Sequence, residues 1–126
     1  MKGDNLPQDE PGRNSDAPLD LKQALQEFMG KKEILLDVLG TFVVNGRECI
    51  QIAQNALLAS DYKQIQSQAH KLGGGAANLT ARKLAGAAFG VEQAVQAGEF
   101  QRVRSLLKEV ERKFNEFETY LQQNAI

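Results

Sequence analysis

After Pro18 the chain contains no proline, and from Leu19 onward its apolar residues recur at three- and four-residue intervals. A proline inside a helix removes a hydrogen bond and clashes with the preceding turn. A proline-free stretch with an apolar period near 3.6 residues therefore predicts a series of amphipathic helices. No alternating apolar and polar run competes as a strand.

The helix ends are marked in the sequence. Pro18 suits a first-turn position, and Asp20 with Gln23 three residues later resembles a capping box. Leu21, Ala24, Leu25 and Phe28 share a face, and Gly30 stops this short helix. A long helix follows over 31–58, with Leu35, Val38, Phe42, Cys49, Ala53, Ala56 and Leu57 as its apolar stripe. Asp61 with Gln64 caps a third helix that runs from Tyr62 to Ala77 or Asn78. Thr80 is expected to cap a fourth over 81–97, with Leu84, Ala87, Ala88, Val91, Ala94 and Val95 inward, and Gly98 ends it. The last helix, 99–123, carries Phe100, Val103, Leu107, Val110, Phe114, Phe117 and Leu121, a coiled-coil-like seam from Leu107 onward. Four long helices joined by links of a few residues predict an all-α fold: an antiparallel up-down four-helix bundle with an additional short N-terminal helix.

Residues 1–17 hold Pro7, Pro11, Gly3 and Gly12 among Asp, Asn, Glu and Arg. That composition lacks the apolar surface to order itself and reads as a disordered tail or linker. Residues 18–126 read as one domain. The 15 basic and 16 acidic side chains leave a net charge of −1, which calls for neither nucleic acid nor an anionic membrane. The apolar runs are too short to span a bilayer, and the N-terminus has no apolar signal region, so a cytoplasmic protein is expected. Cys49 is the single cysteine, which excludes a disulfide framework and a zinc cluster. Its place on the apolar stripe predicts a buried, inert thiol. Asn78-Leu79-Thr80 matches a glycosylation sequon but falls at a helical junction and is set aside.

One stretch resists a purely structural reading. Ala69-His70-Lys71-Leu72-Gly73-Gly74-Gly75-Ala76-Ala77-Asn78-Leu79 contains the only histidine of the chain, followed by three glycines inside a helical pattern. Each glycine in a helix costs about 0.5–1 kcal/mol relative to alanine. At about 100° per residue, Ile65, Ala69, Leu72, Ala76 and Leu79 form the buried stripe. His70 falls about 140° from Ile65 by the same geometry, on an outward face with Lys63, Gln66, Ser67, Gly74 and Ala77. Glycines at 73 and 74 are expected to clear room for another protein beside the imidazole. Gly75 faces a neighbouring helix and serves close packing.

This pattern contains no catalytic triad. Gly73-Gly74-Gly75 lacks the trailing Gly-Lys-Ser/Thr of a P-loop and follows no strand. A solitary exposed imidazole is still a competent nucleophile near neutral pH. Attack on an activated phosphoryl group would yield phosphohistidine, with Lys63 and Lys71 as candidate cations for the added charge.

The stretch from Ala69 to Leu79 resembles the signature of histidine-containing phosphotransfer (HPt) domains, approximately His-x-Leu-Lys-Gly-Ser-Ser/Ala-x-Asn-Leu/Ile-Gly. The likeness spans about residues 19–122 and includes the Phe42 region, the Asp61 helix start and the Ala97-Gly98-Glu99 turn. The resemblance implies a phosphorelay intermediate that accepts phosphoryl from a receiver aspartate on His70 and passes it to another receiver aspartate. It implies partner receiver domains and a (hybrid) histidine kinase, no kinase activity or cofactor of its own, and Mg²⁺ on the receiver. A monomer is expected, with no nucleic-acid or membrane partner. By carry-over Gly74 gives the receiver room. The sequence departs from the pattern at Gly73, where the family has lysine, at Gly75 and at Thr80. The place often held by a glutamine beside the imidazole falls, by spacing, on Glu92, with Gln93 next to it. A carboxylate there would hydrogen-bond the imidazole and repel its phosphorylated form. The competing reading is a non-catalytic interaction module that docks on a receiver or histidine kinase and regulates it.

Overall fold

The computed structural model describes residues 17–124. The tail expected over 1–17 lies, apart from Ala17, outside the described residues. The regular structure of the described residues is all helical: α1 spans Leu21–Glu27, α2 Lys32–Leu58, α3 Tyr62–Asn78, α4 Arg82–Gln96 and α5 Val103–Gln123, with a 3₁₀ turn at Phe100–Arg102 before α5. The helix α3 packs against α2 and α4, and α5 packs against α4 and closes on α2. The short α1 rests on α2.

Two of the expected caps form. The Asp20 carboxylate accepts from the Gln23 N–H at 3.0 Å, and the Asp61 carboxylate accepts from the Gln64 N–H at 3.2 Å. Pro18 stands before the Asp20 cap rather than inside the first turn. The links between α2, α3, α4 and the 3₁₀ turn share one geometry. In each, the residue two past the last helical one has positive φ: Ser60 at 54°, Thr80 at 63° and Gly98 at 74°. In each, the next N–H reaches back to a carbonyl in the preceding helix: Asp61 to Ala56 at 2.8 Å, Ala81 to Ala76 at 2.9 Å and Glu99 to Ala94 at 2.8 Å. This Schellman closure satisfies carbonyls that the helix end leaves free.

Thr80 was expected to cap α4. The N-cap is instead Ala81, which has no side chain to do so. Thr80 occupies the left-handed turn position, where a β-branched residue is disfavoured. Its buried hydroxyl donates to the Asp20 carbonyl at 2.9 Å. That bond holds the strained residue and ties the start of α1 to the α3–α4 link.

The core lies between the four long helices. Phe114, Phe117, Leu35, Ile65, Leu84, Val91, Val103 and Val110 are fully buried within it. Phe42, Phe114 and Phe117 form an aromatic cluster with ring centroids 5.4–6.3 Å apart. Arg47 spreads over the Phe114 face, 5.4 Å from its centroid, and pairs with Glu118. Two residues assigned to apolar stripes stand at the surface. Val38 is 36% exposed and borders an open cleft between α2 and α3. Phe100 is 43% exposed and stacks on Tyr62 with centroids 4.2 Å apart, because the backbone at 100–102 winds as 3₁₀. Leu57 and Ala87 are only half-buried.

Three glycines are sites of close approach. A β-carbon at position 46 would stand 2.6 Å from Phe114 Cε1. One at 75 would stand 2.9 Å from Phe42 Cε1, as expected for a packing glycine. One at 73 would stand 2.5 Å from Phe89 Cε1, whereas at 74 nothing lies within 4 Å. Helix propensity treats all four alike, so the surroundings decide the sign of a substitution. Gly74→Ala should stabilise the fold by about 0.5–1 kcal/mol. Gly46→Ala and Gly73→Ala should each destabilise it despite that gain, overpacking costing about 1–3 kcal/mol. Urea unfolding followed by circular dichroism checks all three. Phe114→Ala, which empties the aromatic cluster, should cost about 3–5 kcal/mol in the same assay.

Candidate functional site

His70 sits near the middle of α3, and its side chain is 70% exposed. The helical wheel places it outward, and the structure agrees. Its Nδ1 lies 2.9 Å from Oε2 of Glu92, which α4 supplies. The Glu92 side chain is only 17% exposed, so one partner of the pair is sheltered and the other open. An ionised carboxylate can only accept, so the bond requires a proton on Nδ1. In the neutral ring with that proton, the lone pair is on Nε2.

The surrounding residues divide. Lys63, Ser67, Ala77 and Gln93 are exposed, and Gln66 and Gly74 are half-buried. Gly74, with nothing near its α-carbon, leaves open space one turn from the imidazole. Gly73 does not clear the surface as expected. It is buried, and the Phe89 ring covers the place its side chain would take. The physical reason is the helix pair: Phe89 of α4 needs a residue without a side chain on α3 to lie flat. A lysine at 73 would lose that contact. Spacing alone missed Phe89, which carries no polar signal.

Lys71 is exposed but borders the opposite side, a cleft of about 560 Å³ between α2 and α3. Phe28, Val38, Phe42 and Leu72 give that cleft apolar walls, and Asp37, Asn45 and Lys71 stand among its lining. Cys49 also borders it but is buried. Burial pushes its thiol above the ordinary cysteine value; Glu48 adds to the rise and Lys71 opposes it. A thiol held neutral in this way is a poor nucleophile. Among the described residues no group of three or more His, Cys, Asp or Glu is placed to hold a metal ion. No helix of the described residues is long and apolar enough to cross a membrane.

The comparisons with known proteins follow the same lines. Residues 37–123 match the model of the Hpt domain. Among solved structures, histidine-containing phosphotransfer protein B (HptB) from Pseudomonas aeruginosa PAO1 is similar, with a TM-score of 0.77 and 28% sequence identity. The likeness covers 86% of this chain and 96% of that one. No curated protein matches. With most of its length under the family model and an exposed histidine on the corresponding helical framework, the chain belongs to the Hpt domain family, and its role is histidine phosphotransfer in two-component signalling.

Proposed function

We propose that the chain is a phosphorelay intermediate whose phosphoacceptor is His70. The observation that carries this is the imidazole itself: exposed at mid-helix, with Nδ1 2.9 Å from the Glu92 carboxylate. Nε2 attacks the phosphorus of a receiver's aspartyl phosphate. The Nε2–P bond forms, the P–O bond breaks, and the electron pair leaves with the aspartate carboxylate. The reverse sequence hands the phosphoryl to a second receiver. The receivers supply the Mg²⁺ that screens the phosphoryl charge, and this chain contributes nucleophile and surface.

The docking surface in this reading is the α3 face around His70. Gly74 admits the receiver backbone, while Gln66, Ser67, Ala77 and Gln93 border it and Lys63 contributes positive charge. Lys71 belongs to the cleft side and contacts only a receiver that spans both. Gly73 acts indirectly, by seating Phe89. The ring of helix contacts, with three-residue links from α2 to α3 and from α3 to α4, supports an antiparallel up-down four-helix arrangement that holds α3 and α4 side by side. The chain acts as a monomer in the cytoplasm, on receivers and a histidine kinase.

The test is transfer from a panel of phosphorylated receiver domains. Wild type should acquire acid-labile phosphate, and His70→Gln should acquire none. Equal labelling of the two would overturn the assignment. Receiver binding without any labelling would instead establish a docking-only module. Gly74→Gln should remain folded yet slow transfer at least tenfold, a small misplacement of reacting groups being worth about 10²-fold. Unchanged transfer would remove the steric role of Gly74.

A further inference from the structure

We propose that the core behind the histidine helix binds one internal water, held between the amide of Gln68 on α3 and the thiol of Cys49 on α2. The site stands whether or not His70 is the phosphoacceptor. It concerns how α3 is joined to the bundle on the side away from the imidazole.

Gln68 is a polar residue on a buried face. It is 7% exposed and stands two residues before His70, about 200° round the helix from it. Its Nε2 donates to Oε1 of the exposed Gln64 at 3.3 Å. Its own Oε1 is buried and bonds no partner among the described residues, Cys49 included. Turning the amide over exchanges an unpaired acceptor for an unpaired donor and leaves the inner group as lonely as before. Buried amide oxygens are seldom left in that condition, and an ordered water is a common remedy.

The space for one is beside it. Gln68 and Cys49 line the same void of about 10 Å³, whose other walls are apolar side chains of α2, α3 and α5, among them Ala53, Leu72 and Val110. About 10–15 Å³ is the smallest space that takes a single water, and a water settles there only with at least two polar partners. Gln68 and Cys49 are those two. Burial keeps the thiol in its neutral form. Its S–H donates to the water oxygen, and the water donates one O–H to Gln68 Oε1. A chain of hydrogen bonds thus crosses an otherwise apolar seam from α2 to α3.

The same geometry shows the way out. Cys49 and Leu72 line both this void and the open cleft between α2 and α3. The water exchanges past them when α3 parts from α2, so its residence time reports how firmly the histidine helix is seated.

The test is water–protein cross-relaxation on the full chain with labelled methyl groups. A long-held internal water gives an NOE of opposite sign to that from mobile surface water. Wild type should show this signal at the Ala53 and Val110 methyls. Gln68→Leu and Gln68→Met, confirmed as folded by circular dichroism, should lose it. Both variants keep Cys49, so exchange of its thiol proton with solvent would leave the signal in place and is told apart. Cys49→Val should lose the signal too, with Gln68 intact. Absence of the signal in wild type, as a direct bond from the thiol to Oε1 would give, overturns the proposal. Survival of the signal in either Gln68 variant overturns it as well, and survival in Cys49→Val overturns the bridge to α2.

Discussion

The contact between the Phe89 ring and the bare α-carbon of Gly73 is the constraint on which the site depends. Two helices can lie close only where one of them lacks a side chain, and Gly73 supplies that lack on α3. One turn away in each helix stand His70 and Glu92, whose 2.9 Å bond requires the same close approach. Apolar packing in the sheltered groove and polar chemistry at its rim are thus one arrangement. The glycine run, which helix propensity alone would remove, has a separate reason at each position: Gly73 seats Phe89, Gly75 seats Phe42, and Gly74 is open to solvent.

The core is organised by the same exchange of small and large residues across facing helices. Gly46 of α2 accepts the Phe114 ring of α5 and lies against Leu72 of α3. Phe42 reaches both the α5 aromatics and Gly75. Interiors packed at crystal density leave little slack for an added methyl group. Within this interior Gln68 is a buried exception. Its amide nitrogen donates to Gln64 at 3.3 Å while its Oε1 has no protein partner, beside a void of about 10 Å³. An unmade bond of that kind costs about 1–3 kcal/mol.

Much of this was legible in the sequence. The five helices, the Asp20 and Asp61 caps and the outward histidine follow from apolar spacing and chain arithmetic, and the place of Glu92 follows from the resemblance to HPt domains. What spacing cannot show is which neighbour stands at a given angle. Gly73 and Gly74 are adjacent letters, yet one faces a phenyl ring and the other solvent, and only the position of α4 separates them. Thr80 read as a cap because its hydroxyl suits one, but the partner it found is a carbonyl sixty residues away. Val38 and Phe100 fit their stripes by period. They are exposed because Val38 borders the cleft between α2 and α3 and because the chain enters α5 through a 3₁₀ turn.

The Thr80 bond also bears on where this fold begins. The family model starts at residue 37, but the Thr80 hydroxyl is anchored on Asp20, and Leu19 beside it is wholly buried. The segment before α2 is therefore a keystone, wedged against the far end of the helix that carries His70. A fragment cut at the family boundary would lose that wedge and leave Thr80 holding a left-handed turn with nothing to brace it. Strain would then sit two residues past the end of the histidine helix, and a segment without chemistry of its own would govern how firmly that helix is seated.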